Sequence, residues 1–113
     1  MKKYLVTFYF IPMLVVAFAA TTAETYDAVI EDDDETNAPT TSVTLAWDRN
    51  RETDIAGYNV YYGRASGDYT RLVTVTNPTA MIAVKGSKTL YFAVTAYDTD
   101  GLESEFSEEV HWP

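Results

Sequence analysis

Three stretches of this chain alternate in period two and place aromatic side chains where a packed β core needs bulk. They are Val43-Thr44-Leu45-Ala46-Trp47, Tyr58-Asn59-Val60-Tyr61-Tyr62 and Leu90-Tyr91-Phe92-Ala93-Val94-Thr95-Ala96-Tyr97. Successive side chains of a strand point to opposite faces, so Val43, Leu45 and Trp47 share one face. By the same parity Tyr58, Val60 and Tyr62 belong together, as do Leu90, Phe92, Val94 and Ala96. Each stretch therefore offers one apolar face, which only a second layer can bury.

Between and beyond these stretches, turn residues recur at the spacing of an all-β sandwich. Strands are expected over Ser42–Trp47, Tyr58–Tyr62, Tyr69–Val75, Ala80–Val84, Thr89–Asp98 and about Phe106–Trp112. Gly63, Ser66, Gly67 and Asp68 punctuate the second gap, Asn77-Pro78 the third, Gly86-Ser87 the fourth and Asp100-Gly101 the last. No useful helical periodicity appears after residue 23.

The residues from Ser42 to Trp112 resemble a fibronectin type III domain of the kind found in exported bacterial proteins. The resemblance rests on Trp47-Asp48, on Asp54-Ile55-Ala56-Gly57-Tyr58-Asn59-Val60-Tyr61-Tyr62-Gly63, and on Tyr91 to Asp98. Gly101-Leu102-Glu103-Ser104 and Ser107 complete it. It implies an immunoglobulin-like two-sheet sandwich whose fold-defining residues include Trp47, Tyr58, Val60, Phe92 and Val94. Two positions depart from the family. Val84 and Leu90 stand where a leucine and a corner tyrosine are usual, so the corner hydrogen bond is expected to be missing unless Tyr91 supplies it. Strand A is expected to be short or absent, with Ala28-Val29-Ile30 the one segment able to serve. Without it strand B is an open edge through which copies of the chain could associate, although the acidic segment upstream would repel neighbours.

Upstream of the sandwich, Lys2 and Lys3 precede an uncharged, largely apolar run from Tyr4 to Ala20, followed by Thr21, Thr22 and Ala23. This is the layout of a secretory signal over residues 1–23, cleaved after Ala23 or after Ala19. The alternative is an uncleaved membrane anchor over residues 4–20. Residues 24–41 hold the acidic block Glu31-Asp32-Asp33-Asp34-Glu35 and read as a disordered, solvated linker. The domain is then 42–113, in a protein secreted or held in the periplasm or at the cell surface.

Charge and composition narrow the partners. The net charge of −9 becomes −11 without Lys2 and Lys3, six basic against 17 acidic side chains. Such a surface repels phosphate backbones and anionic lipid, which argues against nucleic acid and against peripheral membrane binding. With no cysteine there is no disulfide and no thiolate metal site. The single histidine, His111, lies in the last strand, so neither a serine triad nor a histidine metal cluster can be assembled. No enzyme activity is expected.

Two constellations remain. In the resembled fold the loops after Trp47 and after Tyr97 emerge at one end, gathering Asp48, Asn50, Glu52 and Asp54 near Asp98, Asp100 and Glu103. Asp98-Thr99-Asp100-Gly101 has a fragment of a calcium-loop pattern, which makes Asp98, Asp100, Glu103 and Asp54 calcium candidates; as ordinary turn residues they need no metal. The other constellation is aromatic. Tyr61, Tyr91 and Tyr97 have outward parity, and exposed tyrosines either stack on a ligand or form cross-strand pairs that stabilise the sheet. The expected function is an exported, non-catalytic binding or spacer module for protein partners. A carbohydrate-associated module using these tyrosines is the alternative, and a structural subunit of an extracellular assembly the third.

Overall fold

The computed structural model describes residues 14–19, 26–31, 40–50, 53–86 and 88–113. Among these the chain is all-β, with strands β1 (Leu14–Ala19), β2 (Ala28–Glu31), β3 (Thr40–Ala46) and β4 (Ile55–Gly63). They are followed by β5 (Arg71–Val75), β6 (Thr79–Lys85), β7 (Leu90–Asp98) and β8 (Val110–Trp112). Two four-stranded sheets result, ordered β1-β3-β6-β2 and β5-β4-β7-β8. All strand pairs are antiparallel except β2 with β6. This is the two-sheet sandwich expected from the alternation, in the immunoglobulin-like form that the resemblance implies.

Its core is the set of inward faces. Val43, Leu45 and Trp47 from the first sheet meet Tyr58, Val60, Leu90, Phe92, Val94 and Ala96 from the second, and all are buried. A large apolar side chain sealed this way contributes about 1.5–3 kcal/mol from burial. Trp47 and Tyr58 pack edge to face with ring centroids 5.4 Å apart. The Tyr58 hydroxyl oxygen accepts the Asn50 N–H at 3.0 Å, so a fully buried core ring also fixes the loop after β3. Leu90 is buried at the corner position. Tyr91 faces the opposite way, its ring 6.0 Å from that of His111.

Two strands come from upstream of Ser42. Ala28-Val29-Ile30 docks, but on β6 in parallel rather than on β3, with Ala28 opposite Ile82 and Ile30 opposite Val84. The physical reason is local. Ile30 is buried, and Asp27 clamps Met81 from both directions, donating its N–H to the Met81 carbonyl at 2.8 Å and accepting the Met81 N–H on Oδ2 at 2.8 Å. The stretch read as a solvated linker is thus interrupted by β2, while residues 32–39 lie outside the described residues.

The outer edge of β3, expected to be open, carries β1 in six register pairs from Leu14 opposite Ala46 to Ala19 opposite Thr41. Part of the uncharged run is therefore strand. The rest of the segment read as a secretory signal, including cleavage after Ala23 and residues 4–13 of the anchor alternative, lies outside the described residues. Among the described residues no helix is long and apolar enough to cross a membrane.

The final strand starts at Val110 rather than Phe106 because two serines change how the chain pairs with β7. Ser104 and Ser107 donate their N–H groups to the carbonyls of Ala96 and Val94, both at 2.8 Å. Their hydroxyl oxygens accept the N–H groups of the same two residues, both at 2.9 Å. Side-chain oxygens here replace strand carbonyls as acceptors, so the segment follows β7 without being a regular strand.

Candidate functional site

The outward residues of β4 and β7 form two facing columns: Gly57, Asn59, Tyr61 and Gly63 against Tyr97, Thr95, Ala93 and Tyr91. A tyrosine stands opposite a glycine at each end. A Cβ built on Gly57 would come within 2.6 Å of the Tyr97 hydroxyl, so the Tyr97 ring lies across the bare glycine backbone. At Gly63 the obstacle is the Asp68 carbonyl of the following turn. Tyr97 covers its glycine and Tyr91 lies against the ring of His111, its register partner; both thus make cross-strand contacts.

Tyr61 belongs to a different group. Its ring meets Phe106 at 5.0 Å and Tyr69 at 6.5 Å, and Tyr69 meets Phe106 at 5.4 Å, closing a three-ring cluster on the outer face of the second sheet. Leu72 is the register partner of Tyr61 on β5 and shares that face. Phe106 is 54% exposed and Leu72 51%, so two large apolar side chains stand in solvent beside half-buried tyrosines.

Two carboxylates hold the cluster in place. Tyr61 donates its hydroxyl to Glu103 Oε2 at 2.5 Å, and Thr95 donates to the same oxygen at 2.7 Å. Glu109 accepts from the Ser66 hydroxyl at 2.5 Å, the Gly67 N–H at 2.8 Å and the Tyr69 hydroxyl at 2.8 Å. It thereby ties the turn between β4 and β5 to the start of β8. Charge-assisted bonds of this kind are short and strong for their class.

The acid–base properties follow from these contacts. Partial burial, then the hydrogen bond to Glu103 and its negative charge, push the Tyr61 hydroxyl up to about 12. Burial and Glu109 likewise push Tyr69 up to about 12. For Glu103, burial alone would raise the carboxyl, but hydrogen bonds from Tyr61, Thr95 and Asn59 outweigh it and leave it below its ordinary value. The bonds from Ser66, Gly67 and Tyr69 lower Glu109 as well.

Of the three tyrosines expected to form a binding surface, only Tyr61 sits in the cluster; Tyr91 and Tyr97 lie at opposite ends of their column. Sequence reasoning missed Tyr69, Phe106, Leu72 and Glu109. Tyr69 and Phe106, expected at the starts of strands, precede them: β5 begins at Arg71 and β8 at Val110. A parity argument applies only inside regular strands, so neither ring's direction was accessible to it.

The calcium candidates are dispersed. Asp98 is buried and turns its Oδ1 onto the N–H groups of Asp100 and Leu102, each at 2.9 Å, closing its own loop. Glu103 faces the aromatic cluster instead. The Asp54 carbonyl accepts the Thr99 N–H at 3.0 Å, which joins the two loops through backbone. Among the described residues no group of three or more acidic or histidine side chains is placed to hold a metal ion. No family model matches the chain, and no curated protein matches it.

Proposed function

We propose that this chain is a non-catalytic binding module acting outside the cytoplasm, with the outer face of the β5-β4-β7-β8 sheet as its protein-binding surface. One observation carries the reading: Phe106 and Leu72 stand exposed beside tyrosines whose hydroxyls are already committed to Glu103 and Glu109. Exposed apolar side chains grouped and rimmed by charge mark interaction surfaces, and aromatic anchors held rigid in advance lose little entropy on binding. The resemblance to fibronectin type III domains supports an exported interaction role.

The test is capture from a cell-envelope extract by the immobilised full chain and by its Phe106→Ser and Leu72→Ser variants. A specific partner retained by the parent and lost from both variants, at unchanged melting temperature, is the expected result. Equal capture by parent and variants would remove this face from consideration. A carbohydrate-associated role is favoured by the ring faces of Tyr61 and Tyr69 lying beside carboxylate acceptors, the two features that sugar rings and sugar hydroxyls require. A polysaccharide panel run on the same surfaces decides between the two readings.

A further inference from the structure

Tyr61 and Tyr62 are adjacent in sequence and serve opposite surfaces. While Tyr61 joins the outward cluster, Tyr62 turns inward and helps line a cavity of about 540 Å³ at the seam where β2 of one sheet and the β4–β5 hairpin of the other come together. Its apolar lining includes Ile30 from β2, Tyr62 from β4 and Leu90 from β7. Its polar lining includes Arg64 just past β4, Thr70 before β5 and Arg71 at the start of β5. The size lies in the ordinary range for small-molecule sites, and the lining surface is more polar than apolar, so polar groups dominate what a ligand would meet.

The register explains why a guanidinium points here. Arg71 is the direct partner of Tyr62, and directly opposed residues of an antiparallel pair share a face. Val73 and Val75 continue that face into the core opposite Val60 and Tyr58, so Arg71 occupies an inward position at the mouth of the sandwich. Arg64 crosses the same mouth, its Nη1 donating to the Lys88 carbonyl at 3.3 Å. In a chain of net charge −9, two of eight basic side chains converge on one cavity. Among the described lining residues the charged side chains are these two cations, against the sign of the whole molecule.

We infer that this cavity is a binding site for a small carboxylate carried on a compact ring or apolar body. The planar guanidinium fork matches a carboxylate in two parallel hydrogen bonds. Val29, which stands exposed on β2, and the ring of Tyr62 would cover part of the body of the ligand. A single negative charge is favoured over a phosphate dianion, because the acidic surface repels the second charge as strongly as the first. The site lies on the inner seam and does not depend on the aromatic face.

A competing role is written in the same geometry, since an inward-pointing charge on an edge strand discourages pairing with another sheet. The experiment separates the two. The full chain is titrated with galacturonate and with 3-phenylpropionate, and in parallel with the neutral galactose and 3-phenylpropanamide, following backbone amide shifts at Val29, Thr70, Arg71 and Leu90. Saturable shifts at these amides with one or both carboxylates, at a Kd on the order of 1 mM or tighter, are expected. The neutral counterparts should fail to saturate, and which acid binds tells an acidic sugar from a free aromatic acid. Arg71→Gln and Arg64→Gln should each weaken binding by about tenfold or more, and Arg71→Lys by less than Arg71→Gln. Equal binding of acid and neutral counterpart, or unchanged affinity in Arg71→Gln, would overturn the inference. So would an Arg71→Gln variant whose one new property is self-association, which would leave Arg71 as an edge guard.

Discussion

Replacing Ser104 with alanine should cost more stability than any other removal of a single oxygen atom from the segment between β7 and β8. Ser104 is 9% exposed, and the N–H it accepts belongs to Ala96, which is fully buried. Without the hydroxyl that N–H has no acceptor within the sandwich, and an unsatisfied buried donor costs about 1–3 kcal/mol. The second bond of the hydroxyl, donated to the Glu105 carbonyl at 2.9 Å, is cheaper to lose because Glu105 is exposed and water replaces it. A net loss of roughly 2 kcal/mol is expected, a large share of the ~5–15 kcal/mol available to a domain of ordinary stability. Ser107→Ala removes the matching bond to Val94, but at a half-buried position that water can reach, and should cost roughly 0.5–1.5 kcal/mol. Urea unfolding of the two variants gives the free energies, and an unchanged m-value shows that the unfolded state is not responsible. Hydrogen exchange locates the effect, with Ala96 losing protection in the first variant and Val94 in the second. A Ser104→Ala loss under about 0.5 kcal/mol, or an Ala96 amide as protected as before, would refute the view that side-chain oxygens replace a strand ladder here.

The carboxylate clamps predict a pH signature. Glu103 is held below its ordinary value of 4.5, so its contribution is complete above that pH and is lost as pH falls through the lower folded-state value. The stability difference between parent and Glu103→Gln should be constant near neutrality and shrink in acid, as read from urea melts at several pH values. The same variant should bring the Tyr61 ionisation down from about 12, seen as earlier tyrosinate absorbance, while burial keeps it above 10.0. In the parent, the tyrosine contribution is complete below 10.0 and is lost as pH rises toward about 12. A difference from Glu103→Gln that stays flat from neutral pH into acid would show that the bonds to Glu103 are not formed in solution. At Gly63 a methyl group would strike the Asp68 carbonyl, a backbone atom with little freedom to move, so Gly63→Ala should lose roughly 1–3 kcal/mol or more. Gly57→Ala should lose less, since the Tyr97 ring can swing aside although the Val75 carbonyl cannot. Thermal melts of the two variants give the order, and a reversed order would contradict the packing described at the β4–β5 turn.

Why the core was legible and the surface was not comes down to periodicity. Leu45, Val60, Phe92 and Val94 lie in uninterrupted alternation, and a one-residue slip would turn every one of them to solvent, so parity alone places them. The rings of Tyr69 and Phe106 sit where the chain leaves regular strand, and their meeting with Tyr61 depends on Glu109 tying a distant turn to the last strand. No local pattern carries such information, because it arises from contacts across about 40 residues of sequence. Ser104 and Ser107 occupy an intermediate case. Their place in a family-like motif was visible, but their exchange of backbone for side-chain acceptors was not.

The upstream segments show the other way a sequence reading can miss. Residues 14–19 belong to an uncharged run whose composition suits a leader, a membrane segment or a strand, and composition cannot choose among them. What selects the strand in the folded chain is the unpaired edge of β3, a tertiary demand met by any neighbouring segment able to present backbone donors and acceptors in register. The same logic sends Ala28-Val29-Ile30 to β6, where Asp27 can bond Met81 in both directions and Ile30 reaches the core. Edges, unlike cores, are satisfied by backbone groups that every residue except proline carries in full. The alternation of Val43, Leu45 and Trp47 therefore specifies what lies beneath β3 and leaves open which strand lies beside it.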